Sequence, residues 1–167
     1  MKSLTSLDLT SDPSGLRVLD QRLLPHEEHW VTCRDPEHMV ELIQGLAVRG
    51  APLIGVAAAL ALAHYAEGGA SAEALERAST RLRGARPTAV NLMAAVDRLL
   101  ALPELTRDGV VREAEAIFEA DVASCEAQAE LGAALISDGD SILTHCNAGG
   151  LVAAGIGTAL GVLRRAH

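Results

Sequence analysis

Three places in this sequence put a small or polar residue where a loop or strand would feed the start of a helix: Arg49-Gly50-Ala51, Arg86-Pro87-Thr88 and Cys146-Asn147-Ala148-Gly149-Gly150. Backbone N–H groups at a helix N-terminus, reinforced by the helix dipole, bind phosphate. Glycine lets the ligand approach the backbone, and arginine adds charge-assisted hydrogen bonds. Taken singly, each arrangement has a plainer reading. An arginine flanking a helix is more often a surface residue in a salt bridge. The Gly149-Gly150 pair can serve tight helix packing alone, and a lone cysteine is more often a small buried hydrophobe than a nucleophile or acid. Cys146 gains weight from its place at the carboxyl end of a predicted strand, the edge at which open α/β sheets bind ligands. A thiol beside a helix N-terminus also tends towards a lowered pKa.

His145 precedes Cys146, but neighbours at a strand end point to opposite faces, so a Cys-His dyad is not expected. The other histidines, His26, His29, His38, His64 and His167, lack metal-ligand spacing, and no metal is predicted. Glu27-Glu28 reads as a solvated face rather than a general acid and base.

Composition narrows the partners. Hydrophobic residues make up 49% of the 167 residues and aromatics only 2%, so the core is to be built from Ala, Leu, Val and Ile on closely packed helices. The formal charge of -8, from 22 acidic and 14 basic residues, comes without a basic stripe, which argues against nucleic acid. An acidic chain that binds phosphate must do so locally, with helix ends and one or two arginines. Cys33, Cys125 and Cys146 fit neither a disulfide framework nor paired metal spacing, which points to a reducing cytoplasm. Met1–Pro13 has no apolar core of a signal peptide, and Ala51–Ala63 is too short to span a bilayer, so a soluble protein with no membrane partner is expected.

The positioning elements follow from period and capping. Leu16–Thr32 alternates loosely about Leu24-Pro25-His26 and predicts a small antiparallel hairpin. Asp35-Pro36-Glu37 opens a helix carrying Met39, Leu42, Ile43 and Leu46. A second helix is expected from about Pro52 to the Glu67-Gly68-Gly69 stop, a third from the Ser71 cap to about Arg83, and a fourth from Thr88 to about Leu102. Val111 to Leu135 marks a helix of roughly 28 residues, long enough to join two domains. Beyond Asp138-Gly139-Asp140, Ser141–Thr144 reads as a short buried strand and Gly149–Ala166 as a helix, the first unit of a doubly wound parallel sheet. One strand cannot make such a sheet, so either the rest comes from a longer polypeptide or another chain, or the segment packs in a way its sequence does not foretell.

Four ordered stretches, covering nearly the whole chain, resemble the methylthioribose-1-phosphate isomerases of methionine salvage, a group that also includes regulatory subunits of the eukaryotic translation-initiation exchange factor. They are Leu19–Glu28, Val48–Ala58, Arg86–Leu92 and Leu143–Gly149. The resemblance implies an α/β protein with a mostly helical N-terminal domain and a small antiparallel sheet, over residues 1–137. The start of a Rossmann-like catalytic domain would follow at 138–167. It implies that Arg49, Gly50, Ala51 and Arg86 hold the substrate and its phosphate, that Cys146 is the catalytic cysteine, and that no cofactor is used. The expected substrate is a phosphorylated pentose and the expected assembly a homodimer, or a pairing with a chain that completes the Rossmann-like domain. The family's catalytic aspartate lies later, so this chain is expected to be inactive alone. An isomerase of ribose 1,5-bisphosphate or deoxyribose 1-phosphate is the near alternative, and a non-catalytic regulatory or scaffold homologue the distant one. Asp121, Cys125 and Gln128-Ala129 depart from the family's long helix at positions that concern packing or the dimer contact more than chemistry.

Overall fold

The computed structural model describes all residues, 1–167. Its sheet has four strands in sequential antiparallel order: β1 (Leu4–Thr5), β2 (Leu9–Asp12), β3 (Gly15–Leu19) and β4 (Trp30–Cys33). The expected hairpin is β3 with β4, in a register that sets Val18 opposite Val31 and Leu19 opposite Trp30. Sequence reading missed β1 and β2, which carry few apolar residues. Leu9 and Ser11 face inward and are fully buried, one of them polar, so the alternation is blurred.

Six helices follow: α1 (Pro36–Gln44), α2 (Ala51–Glu67), α3 (Ala72–Arg83), α4 (Val90–Leu100), α5 (Arg107–Ala133) and α6 (Ala159–Ala166). Three begin on the side-chain caps that satisfy orphan N–H groups: Asp35 accepts from His38 N, Ser71 from Ala74 N and Thr106 from Gly109 N. α2 is different. It is apolar on every side from Leu53 to Ala63, all of those residues are buried, and it runs through the middle of the core with α4 and α5 against it. Its alanines and Gly55 permit that approach: a methyl on Gly55 would lie 2.6 Å from the Asn91 carbonyl oxygen of α4.

The C-terminal segment departs from expectation. Ser141–Thr144 forms no strand, because no other segment of this chain offers it a ladder; Leu143 is 96% exposed. The expected helix over Gly149–Ala166 is broken into a single 3₁₀ turn, Gly150–Val152, and the later α6. Between them the chain doubles back so that Gly149 bridges Gly157 in antiparallel fashion. Gly157 has φ +92, and a methyl there would lie 2.5 Å from the Gly149 carbonyl carbon, so a helix cannot run through this point. No helix is long and apolar enough to cross a membrane.

Candidate functional site

A cleft of about 460 Å³ opens where the start of α2, the turn before α4 and the segment after Thr144 meet. It is lined by Leu46, Arg49, Gly50, Ala51, Pro52, Arg86, Cys146, Asn147, Ala148, Val152 and Thr158. All five residues singled out in the sequence, Arg49, Gly50, Ala51, Arg86 and Cys146, therefore stand on one cavity, although they span nearly 100 positions of chain. Arg49 and Arg86 are its only charged lining groups. Neither forms an ion pair with any carboxylate of the chain, so the plainer reading of them as salt-bridged surface residues does not apply.

Each wall has a local cause. Gly50 caps α2 at φ +105 and ψ +130, a conformation that glycine reaches without strain, and no side chain caps the first turn. Arg86 begins a turn closed by the Ala89 N–H donating to the Arg86 carbonyl at 2.9 Å, so it stands just ahead of α4 rather than at its first residue. Leu46 enters the cleft because the chain leaves α1 in a left-handed conformation there, φ +61; it is exposed, where helical period had grouped it with the buried Met39, Leu42 and Ile43. Cys146 is exposed, so its thiol is open to the cleft rather than sealed in an apolar pocket.

The turn bearing Cys146 is held from behind by residues that the sequence did not mark as part of a site. The Asp121 carboxylate on α5 accepts from the Ala154 N–H at 2.6 Å. Gly155 packs so closely on Cys125 that a methyl would lie 2.8 Å from its Cβ, and burial raises the Cys125 thiol pKa. Gln21, 2% exposed, donates to the Leu151 carbonyl at 2.7 Å and to Asp8 at 2.9 Å, and accepts from Arg49 Nε at 3.2 Å. Asp8 is buried with no cation against it, and desolvation pushes its carboxyl up to about 6. Gln21 lies in the family-like Leu19–Glu28 stretch, which was a signal of sorts. Asp8 carried none.

No three His, Cys, Asp or Glu side chains converge in a metal-holding cluster. Chemically the cleft offers two cationic hydrogen-bond donors, an uncapped helix start, an open thiol and no carboxylate. Such a lining has the chemistry to hold an anion.

The model of the Initiation factor 2 subunit family matches residues 47–167. Over 170 residues the chain is 48% identical to the methylthioribose-1-phosphate isomerase of Serratia proteamaculans (strain 568), covering 100% of this chain and 49% of that protein. The protein of the same name from Klebsiella pneumoniae (strain 342) is 45% identical, again over 100% of this chain and 49% of its own length. The chain thus spans about half the length of the curated relatives it matches. Among solved structures, 5-methylthioribose 1-phosphate isomerase from Pyrococcus horikoshii OT3 superposes with a TM-score of 0.85 at 35% identity, over 93% of this chain and 48% of that one. Translation initiation factor eIF-2B, subunit delta, from A. fulgidus gives 0.81 at 39% identity, over 98% and 51%.

Proposed function

This chain belongs to the Initiation factor 2 subunit family, and from that footing we propose that it serves an aldose-ketose isomerase converting 5-methylthioribose 1-phosphate to 5-methylthioribulose 1-phosphate in methionine salvage. The observation that carries the reading is the cleft lined by two unpaired arginines and no acid in a chain of net charge -8. The isomerase names of the relatives point the same way.

In this reading Arg49, Gly50, Ala51 and Arg86 hold the substrate through its phosphate, and Cys146 is the catalytic cysteine. The phosphate blocks the anomeric oxygen, so ordinary ring opening is unavailable. An acid must protonate the ring oxygen, and hydrogen must move from C2 to C1 by proton or hydride transfer. Cys146 relays a proton or stabilises the transition state, and no cofactor takes part. Residues 1–137 form the N-terminal domain, and 138–167 belong to a Rossmann-like catalytic domain in which Ile142 and Leu143 find strand partners. The working form is a cytoplasmic homodimer, or an assembly with a chain that completes that domain.

The experiment is a turnover assay on 5-methylthioribose 1-phosphate with the full natural gene product. Activity that falls at least about a hundredfold in Cys146→Ser and Arg49→Ala is expected, as for groups acting on the reacting centre and its anchor. A gene product that turns over only ribose 1,5-bisphosphate or deoxyribose 1-phosphate would move the assignment to the neighbouring isomerases. One that turns over none of the three would leave the regulatory reading.

A further inference from the structure

We propose that Gln21 is a positioning residue of the cleft: its buried amide sets the Arg49 guanidinium and the Gly150–Val152 turn in one fixed relation. The inference rests on the reading of Arg49 as an anion-holding residue. Gln21 follows β3 and is itself held by its backbone N–H donating to the Ala47 carbonyl at 3.0 Å, two residues before Arg49. Its side chain is 2% exposed.

The amide has one possible orientation. Its Nε2 faces the Asp8 carboxylate at 2.9 Å, the Leu151 carbonyl at 2.7 Å and the Arg49 carbonyl at 3.5 Å. Two hydrogens serve these acceptors, and the two short contacts take them. A flipped amide would turn its oxygen on a carboxylate and a carbonyl, leaving three acceptors facing one another out of water. Oε1 is thereby forced towards Arg49, whose Nε donates to it at 3.2 Å. That bond fixes one edge of the guanidinium and leaves both Nη ends without a protein acceptor. The same amide grips Leu151, in the turn that carries Val152 against Gly50. Asp8, itself 1% exposed and bound by the Ser6 hydroxyl at 2.9 Å, holds the far side of Gln21.

A residue that only held the fold together would affect stability and nothing else. The test therefore reads Arg49 directly, in this chain, with inorganic sulfate as the probe because its charge is constant with pH. In the wild-type chain the Arg49 Nε–Hε resonance is expected to be resolved and slow to exchange. In Gln21→Leu it should be lost to solvent exchange, and sulfate binding should weaken about tenfold, the loss expected when a charge-assisted donor is no longer held in place. Gln21→Met separates positioning from bulk packing: it keeps the length of the side chain but offers Arg49 no acceptor and Asp8 and Leu151 no donor. Its sulfate affinity should therefore fall with that of Gln21→Leu, whereas a packing role alone would leave it at the wild-type value.

A wild-type chain that binds no sulfate overturns the proposal. So does a folded Gln21→Leu chain with unchanged sulfate affinity. So does a folded Gln21→Met chain with wild-type affinity, and if neither variant folds, a wild-type Arg49 Hε resonance that exchanges as fast as those of the exposed arginines overturns it. None of these readouts depends on isomerase turnover, so failure of the catalytic assignment and failure of this one are told apart.

Discussion

Gly50 and Val152 meet backbone to side chain, with no room for a methyl group between them: a Cβ on Gly50 would lie 2.5 Å from Val152 Cβ and 2.6 Å from its Cα. This contact joins the start of α2 to the turn after Cys146, and through it two walls of the cleft share one boundary.

Gly50→Ala should therefore be among the most damaging small substitutions in the chain. It forces an L-residue to φ +105 and overlaps the Val152 backbone. A loss of roughly 2–4 kcal/mol follows from the left-handed strain and the overpacking together. Urea unfolding measures it. Val152→Ala should give little rescue, because alanine removes only Cγ1 and keeps the two closest of the three overlapped atoms, and a Gly50→Ala chain with an unchanged midpoint would refute the contact.

Asp8 makes stability depend on pH. Its folded carboxyl titrates at about 6 against 3.8 for the free group, so between these values the folded chain binds more protons than the unfolded one. Its contribution is fully present below the lower value and is lost as pH rises through about 6; the full swing is on the order of 3 kcal/mol. Asp8→Asn should flatten that slope and be more stable than wild type above about pH 6, as read by denaturation midpoints across pH. Equal slopes in the two chains would show that Asp8 is not the titrating group.

The three thiols should separate kinetically. Cys146 is exposed, Cys125 is buried, and burial pushes Cys33 up to about 12. A disulfide reagent at about pH 8 should show a single fast phase, since thiolate fraction and access set the rate. Cys146→Ser removes that phase, and a saturating sugar phosphate slows it. A fast phase that survives Cys146→Ser would contradict the burial of Cys125 or the raised pKa of the half-buried Cys33.

Asp121→Ala should loosen the turn behind the cleft. It leaves the Ala154 N–H, in a residue 4% exposed, without its 2.6 Å acceptor. The expected cost is about 1–3 kcal/mol, and Asp121→Asn, which keeps an acceptor, should lose less. Identical stability of the alanine and wild-type chains would show that the bond contributes nothing.

Elements with a local cause could be read from the sequence. Asp35-Pro36 and Ser71 satisfy helix N–H groups within three residues, so α1 and α3 start where those caps lie, whereas the Thr106 cap starts α5 at Arg107, four residues ahead of the Val111 from which the helical period was read. The grouping of Arg49, Gly50, Ala51, Arg86 and Cys146 came from ordered motifs, and the structure brings all five to one cleft. What stayed hidden is decided at long range. Ser141–Thr144 has strand composition but no ladder in this chain, and Gly149–Ala166 has helical composition interrupted by the Gly149 and Gly157 bridge. Leu46 has a core residue's spacing and a left-handed backbone. Asp8 and Gln21 are polar residues whose burial follows only from meeting each other and Leu151, which lies 130 positions from Gln21.

The segment from Gly149 to Gly157 is fastened to the rest of the fold by backbone groups, the Leu151 carbonyl, the Ala154 N–H and glycines pressed on Cys125 and on each other, and by the small side chains of Val152 and Ala154. Such a segment has nothing to dock on until the sheet, α2 and α5 have formed, so it is expected to assemble after them. It also detaches first, and its amides should exchange with solvent by local opening while those of α2 wait for global unfolding.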